Sequence, residues 1–248
     1  MGESERPTRV RPRHRMVDRV AAILEAVARS DGLSLTEIAR RLDAPVSSAQ
    51  GLVNGLVATG YLDERGRVYQ LGVAPYFINL LAGRPAVHRV GHDDLLALHA
   101  ETGNTAVVAV AVGADVVYLD HCSTEPRTAY LAERFIRRQL IRTSTGWLLL
   151  ADWEQRDLWA YLETLGPEDS DRVERFLGAM DKIRSGGVLV LPGAAENPDL
   201  DGIAVPVRER GRVVAAVGVV GPRSALVPHQ DEIADALRRH AAIWHARG

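Results

Sequence analysis

The stretch from Ser34 to Asn54 constrains the fold most, because it holds two short helices with a break between them. Ser34 stands three residues before Glu37, the spacing at which a hydroxyl and a carboxylate cap a helix start reciprocally. Ile38, Ala39 and Leu42 then recur on one helical face. Asp43-Ala44-Pro45 stops that helix, and Val46, Ala49, Val53, Leu56 and Val57 resume the period until Gly60. A helix, a tight turn and a second helix are predicted.

What flanks this pair completes a small domain. Before it, Val17, Val20, Ala21, Leu24 and Val27 predict a core helix starting near Met16 and stopped by Asp31-Gly32. After it, residues 61–71 read as two strands around the charged tip Asp63-Glu64-Arg65-Gly66-Arg67. Helix, helix-turn-helix and hairpin together predict a winged helix-turn-helix over residues 16–72. Residues 1–15 hold Pro7, Pro12 and alternating arginines with few apolar residues, which predicts a disordered basic arm. Residues 73–84 predict a connecting helix, interrupted by Pro75 and closed by Gly83-Arg84-Pro85.

Residues 85–248 mix element types. Strands are predicted at 105–112, 116–121, 188–191, 203–208 and 212–220, the last two joined across Glu209-Arg210-Gly211. Helices are predicted ending at Gly103, near 146–151, 155–164 and 171–185, and at 230–246. Two runs of strands separated by helices predict an α+β fold with an antiparallel sheet.

The net charge of −2 is uninformative as a total, but its distribution is not. Through Gly72 there are 11 arginines against 9 acids, and beyond it 19 basic residues against 23 acidic ones. The basic excess sits at the N-terminal end, in the arm ahead of the helix-turn-helix. The single Cys122 excludes an intrachain disulfide, and no His/Cys cluster has structural-zinc spacing, so neither metal nor cofactor is expected. With no apolar run long enough for a signal peptide or a spanning helix, a cytoplasmic protein away from membranes is expected.

A helix in the major groove needs short polar side chains outward and an apolar back. Ser47, Ser48, Gln50, Gly51 and Asn54 supply that face, with Thr36 on the preceding helix. None carries charge, so attraction to phosphates falls to arginines: Arg6, Arg9, Arg11, Arg13 and Arg15 of the arm, Arg40 and Arg41, and Arg65 and Arg67 of the hairpin. Each arginine alone is as well read as a solvated surface charge, and the segment as a whole also fits a protein-contact module. Their grouping around one motif, with the basic arm, favours double-stranded DNA. Gly51 and Gly55 each weaken the helix by about 1 kcal/mol relative to alanine, which close approach to DNA or to another backbone would explain.

The order of elements resembles the IclR family of bacterial transcription regulators from Met16 to the C-terminus. In the first domain the likeness rests on Val17-Asp18-Arg19-Val20, Leu35-Thr36-Glu37-Ile38-Ala39, Gly60-Tyr61-Leu62 and Tyr69-Gln70-Leu71-Gly72. In the second it rests on Thr143-Ser144-Thr145-Gly146 leading to Leu149-Leu150-Ala151, on Gly202-Ile203-Ala204-Val205-Pro206-Val207, and on the run Val214 to Pro222. The resemblance implies a homodimer or dimer of dimers on pseudo-palindromic operators, with a C-terminal domain similar to GAF and PAS sensing folds and no catalysis. It places a small-molecule effector among Thr143, Ser144, Thr145, Gly146, Gly202, Gly218 and Val220, with His121 and Cys122 nearby. The chain departs from the family pattern in Gln139-Leu140-Ile141 for Pro-x-His and in Gly146-Trp147 for Gly-Lys. It also has Gly218 and Val220 where serines are frequent, the uncharged Leu191-Pro192-Gly193 at an acidic position, and Gly51 where arginine is frequent. Fewer polar anchors disfavour a short dicarboxylate and favour a more apolar effector, such as an aromatic or a lactone. Repression is favoured over activation.

The alternative is an enzyme or a protein-interaction module using the C-terminal domain, the enzyme candidates being His88, His92, His99, Asp120, His121 and Cys122. Strand alternation turns His121 away from its two neighbours, so a buried cysteine beside a solvent-facing histidine is the preferred reading. Trp153, Trp159 and Tyr161 read as packing residues, and His229, His240 and His245 as exposed.

Overall fold

The computed structural model describes residues 14–83, 87, 89–126, 136–191 and 199–247. These fall into two compact units, one within Arg11–Ala86 and one within Val87–Gly248. Arg6, Arg9, Arg11, Arg13, Arg84, Pro85, His88, Pro192 and Gly193 lie outside the described residues.

In the first unit, helix α1 (Arg15–Ala28) leads to a two-residue strand β1 (Leu33–Ser34), α2 (Leu35–Arg41), α3 (Val46–Ala58), the hairpin β2 (Leu62–Arg65) and β3 (Val68–Leu71), and α4 (Ala74–Ala82). The predicted capping box is present. Glu37 Oε2 accepts from the Ser34 backbone N–H at 2.9 Å and from its hydroxyl at 2.7 Å. The backbone hydrogen bond from Ser34, then its hydroxyl, holds the Glu37 carboxyl below the usual range. The sheet order is β1-β3-β2, and Leu33 pairs with Tyr69. Ile23, Val27, Ile38, Val53, Leu56 and Leu62 form the core. Of the stripe predicted on α1, Val27 is buried and Val20 and Leu24 pack against the core, but Val17 and Ala21 are exposed and Ile23 takes a buried place instead. Pro75 does not interrupt α4. It sits in the first turn, where its missing N–H needs no partner.

The second unit is one antiparallel sheet of six strands in the order β6-β5-β4-β9-β8-β7. In chain order these are β4 (Thr105–Val112), β5 (Asp115–Cys122), β6 (Arg137–Gln139), β7 (Leu189–Leu191), β8 (Leu200–Glu209) and β9 (Arg212–Pro222). The helices are α5 (His92–Thr102), α6 (Ser144–Ala151), α7 (Gln155–Leu162), α8 (Ser170–Arg184), the single turn α9 (Arg223–Leu226) and α10 (Gln230–His245). Both faces of the sheet are covered, so β8 and β9 are buried almost without interruption. On one face α6 packs with Val107, Tyr118, Ala204 and Ala216, and Phe176 of α8 closes the layer. On the other, α5 and α10 cover Ala106, Val205, Val217 and Val219.

Candidate functional sites

The exposed surface of α3 follows from its buried one. Ala49, Val53 and Leu56 face the core, which turns Ser47, Ser48, Gly51 and Asn54 outward with Gln50 half-buried beside them. Gln50 Nε2 donates to Asn54 Oδ1 at 3.2 Å, so the two amides stand as a pair one helical turn apart. A Cβ added at Gly51 or Gly55 meets nothing within 4 Å. Among the described residues no other backbone of the chain approaches these glycines, so packing within the chain does not account for them.

Arg40, Arg65 and Arg67 are exposed, as is Thr36 at the start of α2. Arg41 differs from Arg40, since its Nη1 donates to the Ala26 carbonyl at 3.3 Å and ties α2 to α1. Arg65 pairs with Val68, which leaves a two-residue loop at the hairpin tip. Gly66 and Arg67 both take positive φ there, +58° and +66°, the pattern of a type I′ turn.

In the second unit, the start of α6 rests on the sheet. Gly202 of β8 and Gly218 of β9 share its face. A Cβ at Gly202 would lie 2.5 Å from Ser144 Oγ, and one at Gly218 would lie 3.0 Å from Thr145 Cγ2. Val220 pairs with Gly202 and packs in the same layer. Thr143, Ser144, Thr145 and Gly146 are all buried. Thr143 Oγ1 caps the helix by accepting from the Gly146 N–H at 2.9 Å. Gly146 itself passes so close to the preceding turn that a Cβ would fall 2.1 Å from the Leu140 carbonyl oxygen.

His121 and Cys122 separate. His121 pairs with Val107 on the α6 face, whereas Cys122 pairs with Ala106 and packs among residues of the opposite face. Cys122 is thus not brought together with the α6 residues. Both are half-buried, so neither the fully buried cysteine nor the solvent-facing histidine is found. Asp120 accepts from the His121 N–H and stands 3.0 Å from His92 Nδ1. Burial first and the Asp120 carboxylate second push the Cys122 thiol up, opposite to what a nucleophilic thiolate requires. Among the described residues no group of three or more His, Cys, Asp or Glu is placed to hold a metal, and no helix is long and apolar enough to cross a membrane.

Several residues that hold the α6 turn were not singled out in the sequence. Asp169, 1% exposed, takes both Nε and Nη2 of Arg142 and also Nη1 of Arg172. Arg142 directly precedes Thr143, so this pair fixes the entry to α6. The Trp147 indole donates to the Ile141 carbonyl at 2.7 Å and meets Phe176 edge-on. Tyr161 packs as expected; its hydroxyl accepts from the Ile141 N–H at 3.1 Å, and burial raises its phenol to about 12. Trp153 meets Tyr161 edge-on, while Trp159 is largely exposed. His229 and His245 are exposed, but His240 is half-buried against Glu101.

Residues 16–66 match the IclR helix-turn-helix domain, and residues 84–243 match the bacterial transcriptional regulator IclR C-terminal domain. The chain belongs to the IclR family. It is 28% identical over 225 residues to the HTH-type transcriptional regulator BhcR of Paracoccus denitrificans, spanning 84% of this chain and 77% of BhcR. An IclR homolog from Microbacterium hydrocarbonoxydans, complexed with 4-hydroxybenzoate, superimposes with a TM-score of 0.71 at 25% identity, over 93% of this chain and 98% of that one. An IclR regulator from Silicibacter shares the fold, with a TM-score of 0.70 at 23% identity over 94% and 95% of the two chains. This IclR-family protein is a DNA-binding transcriptional regulator with an effector-binding C-terminal domain, not an enzyme.

Proposed function

We propose that this IclR-family protein is a cytoplasmic repressor that grips a pseudo-palindromic operator as a homodimer or dimer of dimers and changes that grip when it binds an effector more apolar than a short dicarboxylate. The exposed face of Ser47, Ser48, Gln50, Gly51 and Asn54 carries the DNA reading. Thr36, Arg40, Arg65 and Arg67, with Arg9, Arg11 and Arg13 of the N-terminal arm, are the proposed strand contacts. The Gln50–Asn54 pair offers a donor and an acceptor side by side, the complement of an adenine edge.

The effector is proposed to lie between the start of α6 and the glycine-bearing strands. Three hydroxyls, two bare glycines, Val220 and His121 give that place shape and hydrogen bonds, and none of these residues carries a guanidinium or ammonium, which suits an aromatic better than a small dianion. The 4-hydroxybenzoate held by the Microbacterium homolog supports that class.

Homodimerisation is supported by α4, none of whose residues is buried. Tyr76, Phe77, Leu80 and Leu81 are each more than half exposed along one side of it. A second copy of the same helix would cover this side and couple the two effector domains to the spacing of two α3 helices.

Footprinting on the DNA flanking the protein's own gene, repeated with 4-hydroxybenzoate, tests the reading. Two protected half-sites whose occupancy changes with the ligand are expected. No salt-sensitive preference for any fragment of that locus would overturn it. Phe77→Glu is expected to shift the sedimenting species toward monomer and weaken operator binding; an unchanged dimer would remove α4 from the interface.

A further inference from the structure

At the far end of α6 from Thr143 lies a cleft of about 410 Å³ that no part of the effector reading uses. Its volume is within the range of small-molecule sites. The floor is apolar: Leu148 and Ala151 of α6, Ile183 of α8 and Pro206 of β8, all buried. The rim is cationic, formed by Arg184, Arg208 and Arg212.

Asp152 orders the rim. It is 14% exposed in its side chain, and it accepts from Arg208 Nη1 at 3.3 Å and from Arg212 Nε at 2.8 Å. Arg184 is anchored differently, through Nε to the Ala151 carbonyl at 3.0 Å, which leaves its two terminal nitrogens directed at no partner among the described residues. Three guanidinium groups thus face two carboxylates, Asp152 and Glu154, and the rim keeps an excess of one positive charge. An apolar floor beneath fork-shaped donors fits a planar anion on a hydrophobic body.

We propose that this cleft is a second small-molecule site, which takes a monocarboxylate with an apolar body through Arg184 and Arg212. It is second in the sense that the effector reading places another ligand at the start of α6. Gly202, Ala204, Pro206 and Arg208 occupy alternate positions of β8, so one row of residues on the α6 face runs from the effector end to the cleft. At about 3.3 Å per residue the row spans roughly 20 Å, enough for both ends to be filled at once.

The test is calorimetric titration of the full-length protein with benzoate, with benzyl alcohol as the neutral analogue and inorganic phosphate as the anion without a body. Benzoate is expected to bind, and Arg184→Gln and Arg212→Gln are each expected to weaken that event roughly tenfold by removing one charged hydrogen-bond donor group. Arg184→Lys keeps the charge without the fork and should recover part of the loss, which separates charge from a folding defect. Benzyl alcohol and phosphate should bind far more weakly than benzoate. No benzoate binding, binding indifferent to both arginines, or phosphate binding as tightly as benzoate would each overturn the proposal. If Thr145→Val removes all benzoate binding while both arginine variants keep it, the effector site stands and the second site falls. If arginine-dependent binding persists in a protein that ignores DNA, the operator reading fails and the cleft remains.

Discussion

Arg67 sits where two requirements conflict, and replacing it with asparagine should separate them. The residue follows Gly66 in a two-residue hairpin loop and is held at φ +66°. An L-residue with a Cβ pays about 1–2 kcal/mol for left-handed backbone, and asparagine tolerates it better. Arg67→Asn is therefore expected to stabilise the hairpin by about 0.5–1 kcal/mol, which slows amide exchange across residues 61–71 roughly two- to fivefold. Its side chain is exposed, and among the described residues it has no hydrogen bond or ion pair that would offset the change. If Arg67 grips a phosphate at the minor groove edge, the same substitution removes one released counterion. The slope of log affinity against log salt should then fall by about 0.9 per recognition site, as read by fluorescence anisotropy on a fragment from the protein's own locus. Stability and affinity should move in opposite directions. A less protected hairpin would refute the backbone argument, and an unchanged salt slope would refute the phosphate contact.

Gly146→Ala should disable effector response while leaving DNA binding, because the new methyl meets the Leu140 carbonyl, a backbone atom that cannot rotate aside; a ligand-induced thermal shift equal to wild type would contradict this. Asp169→Asn leaves Arg142 and Arg172 facing each other without their shared carboxylate and should destabilise the second unit by about 2–3 kcal/mol, below the full cost of a broken buried pair because both arginines are partly solvated. Urea unfolding followed by tryptophan fluorescence checks it, since Trp147, Trp153, Trp159 and Trp244 all lie in that unit. The Tyr161 phenol should hold its proton to about pH 12, whereas the unfolded chain releases it near 10; the unfolded state then binds fewer protons, and the Tyr161 contribution is complete below pH 10 and lost as pH rises through that window. A tyrosinate absorbance titration in which Tyr161→Phe removes no late-titrating phenol would contradict it.

What was legible in the sequence was whatever local chemistry decides. The capping pair Ser34 and Glu37, the breaker at Asp43 to Pro45 and the apolar runs of β8 and β9 joined across Glu209-Arg210-Gly211 are short-range signals, and each specified its element. Strand β1 has two residues and exists only because Leu33 pairs with Tyr69, 36 positions away in the chain. Strand β6 is Arg137-Arg138-Gln139, polar throughout, and is defined solely by its ladder with β5. Arg142 and Asp169 look like ordinary surface charges until the fold sets them together. The His121–Cys122 divergence followed from alternation, but the irregularity in the β4–β5 register, which leaves Leu119 unpaired, has no sequence marker. Trp147 reads as a loss of a polar family position; the structure gives it a role as a packed anchor under the α6 turn.

The two bare strand positions under α6 amount to a size gauge. With no side chain at Gly202 or Gly218 the helix settles to the lowest height the sheet permits, and every methyl restored there would act as a shim beneath Ser144 or Thr145. With the effector where it is proposed to lie, ligand breadth should be adjustable one carbon at a time from the sheet side, while the proposed hydroxyl partners stay in place.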